Sequence, residues 1–177
     1  QYTLSLRQMT VIISGVRSRR QLTSYTCGIA SLRTIFHYYD FDVSEEELKR
    51  AGNVTENGTS HKQMRKLSNK YNFKFYAKPY ATLEDLTKWL KKDCPVIVDY
   101  QDYTYGEIDG HDGHYAVVYG IDDSFVYLSD PANHTDGDRK KFSNNKKMKI
   151  ENFMSRWFDL DEKENEINRW FCVIRPK

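Results

Sequence analysis

A chain of 177 residues, 39% of them hydrophobic and with 13 Tyr and 9 Phe, can bury a core of its own and is too aromatic to be a disordered tail. A net charge of +2 gives no global field to draw it to nucleic acid or to an acidic membrane surface. No apolar run approaches the ~20 residues of a membrane-spanning helix, residues 9–16 being too short, and no signal-peptide architecture is visible.

The elements follow in chain order. Residues 1–19 read as an N-terminal extension with no assigned role, and residues 20–177 as a single domain. After a polar stretch opened by Gln21, the residues Ile29, Leu32, Ile35, Phe36 and Tyr39 recur at helical spacing, which predicts a helix from Cys27. Ser44-Glu-Glu-Glu47 matches a capping box and starts a short helix ending near Gly52. Gly58-Thr59-Ser60 opens another, with Met64, Leu67 and Tyr71 on one face. A further helix follows Thr82, with Asp85 three residues on, and carries Leu83, Leu86, Trp89 and Leu90.

The second half reads as strands. Residues 95–100, 114–120, 124–129 and 170–174 are short β-branched or aromatic runs, and residues 121–124 make a plausible hairpin turn. Residues 148–158 suggest a late helix and residues 161–166 a charged loop. The basic runs at Arg17, Arg19 and Arg20 and at Lys140 to Lys149 read as solvated loops. Helices first and strands after is an α+β layout: an N-terminal helical half would carry a nucleophile and a C-terminal antiparallel sheet a base, with a groove between them.

Cys27 sits at the polar-to-apolar junction where the first helix begins. A thiol there feels the positive end of the helix dipole and unpaired backbone N–H groups, which favour thiolate. Cys94, leading into a buried strand, and Cys172, inside the last one, read as structural. Three sparse cysteines without a CxxC pair weakly favour free thiols and a reducing, cytoplasmic compartment. The sequons at Asn53, Asn57 and Asn133 read as chance matches. His114 opens a strand whose later residues are apolar, so the sheet can fix its ring while the ring faces a cleft, as a general base requires. His111 lies in a Gly-rich loop, and His37, His61 and His134 have no evident supporting context. Asp130 precedes Pro131 at the exit of the following strand, where a hairpin brings it back to His114; Asp122 and Asn133 are its substitutes if the pairing differs. Gln21, six residues before Cys27, can offer its amide to an oxyanion beside the thiol, with the Cys27 backbone N–H as second donor.

Gln21, Cys27-Gly-Ile-Ala30, Gly113-His-Tyr-Ala-Val-Val118 and Ser129-Asp-Pro131, in that order, resemble the bacteriocin-processing, double-glycine-leader peptidase family of the papain-like clan. The stretches 42–48, 58–60, 95–99 and 154–157 resemble its stand-alone, transporter-free members. The resemblance implies a papain-like fold, with Cys27 as nucleophile, His114 as base, Asp130 as orienting carboxylate and Gln21 as oxyanion donor. It implies a peptide or protein substrate cut after small residues such as Gly-Gly, and no metal or organic cofactor. In the family the domain often precedes an ABC exporter, so an exporter is a candidate partner. Tyr25, Tyr103 and Tyr105 are candidate groove residues from their nearness to the motifs.

Three rival readings keep part of this pattern. The same site can pass its acyl group to an amine, as phytochelatin synthases and transglutaminases do. A degenerate domain could grip a leader peptide without cutting it, although all four catalytic residue types are present. Asp109, His111, Asp112 and His114 could hold zinc, but the loop is Gly-rich and lacks a strong distant ligand. Asp136-Gly-Asp138 resembles a calcium loop only superficially.

Overall fold

A computed structural model describes residues 10–102, 108–132 and 145–177. Residues 1–9 of the N-terminal stretch, Tyr103, Tyr105, Asn133, His134, and Asp136 with Asp138 lie outside them.

Among the described residues, five helices and nine strands follow in order: β1 Val11–Ile12, α1 Cys27–Tyr38, α2 Glu45–Gly52, α3 His61–Lys70, β2 Phe73–Lys78, α4 Leu83–Leu90, β3 Val96–Gln101, β4 Gly113–Ile121, β5 Phe125–Ser129, β6 Asn145–Lys149, α5 Ile150–Arg156, β7 Phe158–Leu160, β8 Glu166–Asn168 and β9 Phe171–Pro176. The main sheet runs β2-β9-β3-β4-β5-β6, every pair antiparallel. β4 outruns β3, and β1 takes up the surplus by pairing with Gly120 and Ile121. Thus the upstream stretch read as an extension contributes a strand to the sheet, and Ile13 and Val16 are buried with it.

Local chemistry explains the helices. Ile29, Leu32, Ile35 and Phe36 form the fully buried stripe of α1, which packs on β4. Ser44 caps α2 by accepting from Glu47 N, while reciprocal capping boxes start α3 (Ser60 with Gln63) and α4 (Thr82 with Asp85). Phe36 stacks on Phe73 at 4.5 Å and meets the edges of Phe41 and Tyr71, fixing α1 against the outer strands. On the other flank, Phe153 and Trp157 bury α5, with Trp157 Nε1 donating to Trp170 O at 2.9 Å.

The fold is α+β, with two departures from the sequence reading. The helical half is interrupted by β2, whose alternation of Phe73, Phe75 and Ala77 with Lys74, Tyr76 and Lys78 is the period of a strand. The basic run at Lys146 to Lys149 is not a solvated loop but most of β6, paired along β5. The charged loop forms the tip of the β7–β8 hairpin.

Candidate active site

The first turn of α1 delivers Cys27 to the start of β4. Its neighbour Gly28 makes this approach feasible: a Cβ there would lie 2.9 Å from Thr59 Cβ and 3.1 Å from Tyr115 Cδ2. The Tyr115 hydroxyl donates to Thr59 O at 2.8 Å, so β4, the 58–60 turn and the helix start are mutually fixed.

His114 sits one residue before Tyr115, opposite Tyr100 in the β3–β4 register. Its Nε2–H donates to Asp130 Oδ1 at 2.7 Å, and the Cys27 sulfur is close enough to act on the charge of the ring. With Nε2 committed to Asp130, Nδ1 is the nitrogen left to meet the thiol. Burial alone pulls the ring's pKa down, but the bond to Asp130, and the charges of Asp130 and Cys27, outweigh it and raise the pKa to about 10. Burial likewise opposes charge on Asp130, yet His114 and Lys146 hold that carboxyl well below the usual range. Asp130 Oδ1 also accepts from Ala132 N at 2.8 Å, which fixes the carboxylate at the strand exit.

Two residues not singled out from the sequence complete this cluster. Lys146 Nζ lies 2.7 Å from Asp130 Oδ2 and 2.7 Å from Asp102 Oδ1, and Asp102 Oδ2 is 3.7 Å from His114 Nε2. Asp102, His114 and Asp130 are close enough together to be considered as metal ligands, but the Lys146 ammonium already meets both carboxylates. Of the residues weighed for zinc, only His114 is in this group; His111 N donates to Asp109 Oδ1 within its own loop.

Gln21 reaches the cluster through the backbone, its N–H donating to Pro131 O at 2.9 Å. Leu22 N donates to both oxygens of the buried Glu45, at 3.2 and 3.3 Å, so α2 anchors the segment as well. The Gln21 Nε2 donates to Thr23 O at 2.8 Å, which uses one of its two N–H bonds. Asp122, a substitute for Asp130, instead caps the β4–β5 turn, accepting from Ser124 N and Phe125 N. The Tyr25 hydroxyl accepts from Lys49 Nζ at 3.0 Å.

A second buried polar group backs the first, on the opposite face of the β3–β4 pair. Asp99 lies opposite Tyr115, and its Oδ2 accepts from His61 Nε2–H at 2.8 Å. The His61 ring stacks on Trp170, centroids 3.7 Å apart, and burial pushes its pKa down to about 4. Asp99 and Asp159 lie close enough to feel each other's charge, and burial raises each carboxyl to about 7. Asp159 sits where a Gly113 Cβ would be, 2.4 Å from that position. Nothing local to His61 marks this contact, which arises only when α3 and β7 both pack on the sheet.

The family model described as the Peptidase C39 family matches residues 16–160. The chain belongs to that family. As a C39 peptidase it is a cysteine peptidase of the papain-like kind. Solved C39-type structures share its fold at low identity. The peptidase domain of Streptococcus ComA, a bifunctional ABC transporter of a quorum-sensing pathway, superposes with a TM-score of 0.67 at 19% identity, over 92% of this chain and 100% of that one. A C39-like peptidase from Bacillus anthracis gives 0.67 at 20%, over 96% and 100%. A double-glycine-motif protease from an AMS/PCAT transporter, solved with a leader peptide, gives 0.64 at 18%, over 96% and 100%. No curated protein matches the sequence. Among the described residues, no helix is long and apolar enough to cross a membrane.

Proposed function

We propose that this C39 peptidase cleaves peptide bonds with the Cys27 sulfur as nucleophile, His114 as proton carrier, Asp130 as the carboxylate that orients the ring, and Gln21 as an oxyanion donor. The observation that carries the reading is His114, bonded through Nε2 to Asp130 at 2.7 Å and electrostatically coupled to the Cys27 sulfur at the start of α1. An imidazole oriented by a carboxylate beside a cysteine at a helix start is the arrangement a cysteine nucleophile needs.

The thiolate attacks the scissile carbonyl carbon. The second N–H of the Gln21 amide and the Cys27 backbone N–H at the start of α1 receive the oxyanion. Collapse breaks the C–N bond as the His114 imidazolium gives its proton to the leaving amine. Neutral His114 then takes a proton from water, which adds to the thioester; the acid departs, and the thiolate and imidazolium are restored. Asp130 keeps one ring orientation and one tautomer through both halves. The substrate we assign is a peptide with small residues before the cut, Gly-Gly in a leader segment, because the family resemblance and the leader-bound neighbour point the same way.

A peptide-library digest with wild type beside Cys27→Ala tests the reading. We expect cleavage after small residues by the wild type and none by the variant. Retained cleavage in Cys27→Ala would overturn the assignment. An added amine acceptor that captures most of the acyl group in place of water would replace hydrolysis by transamidation.

A further inference from the structure

We propose that Lys146 is a positioning residue of this site: its ammonium group bridges Asp130 to Asp102 and so sets how tightly the His114 imidazolium is held. The proposal deepens the proposed function and rests on it.

The geometry assigns each carboxylate oxygen a distinct task. Asp130 Oδ1 serves His114 and Ala132 N, while Oδ2 lies 2.7 Å from Lys146 Nζ. Asp102 Oδ1 lies 2.7 Å from the same ammonium and accepts from the Tyr100 hydroxyl at 3.2 Å. That leaves Asp102 Oδ2 at 3.7 Å from His114 Nε2, near enough to compete for the ring N–H that Asp130 now receives. Lys146 therefore does two things. It draws Asp102 into a fixed position beside the ring rather than onto it, and it neutralises one of the two carboxylates the imidazolium faces. The fold builds this in: Lys146 lies opposite Leu128 on β6 and projects toward the β5 exit where Asp130 stands. It is 28% exposed in its side chain, whereas Asp130 is fully buried.

Other charged and titratable groups surround His114: on its own face Cys27 from α1, Tyr100 and Asp102 from the β3 segment and Asp130 after β5, and across the sheet Asp99 from β3 and Asp159 from β7 beside Gly113. Burial and the two neighbouring carboxylates keep the Tyr100 hydroxyl protonated, so it adds no charge. Lys146 is the cation set against these acids. Removing its charge leaves the imidazolium over-stabilised, and an imidazolium held too tightly is a poorer acid toward the leaving amine.

The test follows the His114 ring carbon resonance through a pH titration of the isotopically labelled protein, alongside cleavage rates. Lys146→Met should raise the ring's midpoint by about one pH unit or more and lower cleavage at pH 7 about tenfold. Asp102→Asn should lower the midpoint, and the Lys146→Met/Asp102→Asn double variant should return it toward wild type. Lys146→Arg, which keeps the charge, should leave the midpoint in place. A merely structural lysine would change thermal stability without moving the midpoint in opposite directions for the two single variants. An unmoved midpoint in Lys146→Met, or shifts of the same sign in it and Asp102→Asn, overturns the proposal; if Lys146→Met does not fold, Lys146→Gln is read against Asp102→Asn in the same way. The two readings fail separately. Unmoved midpoints with an inactive Cys27→Ala sink only the role of Lys146, whereas an active Cys27→Ala sinks the nucleophile assignment itself.

Discussion

Replacing Asp159 by Asn should make the protein more stable at neutral pH than the wild type. Asp159 and Asp99 face each other electrostatically in a buried site, and both carboxyls are raised to about 7 by burial, against an ordinary value of 3.8. A folded-state pKa raised in this way gives stability that is fully present below the unfolded value and lost as pH rises through the folded one. The window is therefore about pH 4 to 7. A carboxyl held some three pH units high, at 1.36 kcal/mol each, costs the folded state about 4 kcal/mol at pH 8; partial exposure of Asp159 makes that a ceiling. Asn keeps the acceptor for Leu160 N at 2.8 Å and Gln101 Nε2 at 3.2 Å, and its amide N–H replaces the acid proton toward Asp99. His61 titrates with the opposite sign in the same window, since burial lowers its pKa to about 4 and its contribution is lost as pH falls. It is common to both proteins, so the informative quantity is the difference between variant and wild type. Urea denaturation from pH 4 to 8 should show near equality at the acid end and an advantage for Asp159→Asn of about 2–4 kcal/mol at the other. A difference that stays flat across the window, or that falls with pH, refutes the account of a carboxyl raised by burial.

Asp130→Asn removes the charge that holds the His114 imidazolium while keeping an acceptor at 2.7 Å, so cleavage should fall about a hundredfold or more, read as kcat on a cleavable peptide. The ring's protonation midpoint should fall with it, the reverse of the Lys146→Met shift. Gly28→Ala puts a Cβ 2.9 Å from Thr59 Cβ and 3.1 Å from Tyr115 Cδ2, and should cost about 1–3 kcal/mol in denaturation with a loss of activity as the helix start is pushed from β4. Tyr115→Phe leaves Thr59 O without its 2.8 Å donor inside the structure and should cost about 1–3 kcal/mol in the same measurement.

The residues that were legible from the sequence are those whose placement is local. Cys27 is marked by a polar-to-apolar junction, His114 by the first position of an apolar strand, and Asp130 by an Asp-Pro strand exit; one hairpin then brings the last two together. Spacing to Cys27 marks Gln21 only as a candidate, and the Pro131 and Glu45 contacts that anchor its segment are not readable from that spacing. Lys146 was hidden because Asn-Lys-Lys-Met-Lys carries too little apolar residue to announce a strand, and its register on β5 alone turns it toward Asp130. The strand β2 carried a readable alternation, but it follows α3 after only two residues, so the helical pattern ran over it. His61, Asp99 and Asp159 come from three remote segments, and their meeting depends on packing that no single window of the sequence contains.

The two polar groups are joined by the strand pair itself. In the β3–β4 register Tyr100 faces His114, while Asp99 faces Tyr115 and Gln101 faces Gly113. Directly opposed residues share a face and successive ones alternate, so the His114 ring and the Asp99–Asp159 pair occupy opposite sides of the same two strands. Gly113 is the residue that lets them come so near, since any side chain there would meet the Asp159 carboxylate at 2.4–2.6 Å. The charge of the imidazolium is felt by Asp99 through the sheet and favours its ionised form, while burial opposes it. The negative charge around the ring is thus limited from both sides by devices of different kind: a lysine set against the carboxylates on one side, and an acid pair on the other that retains a proton until about neutral pH.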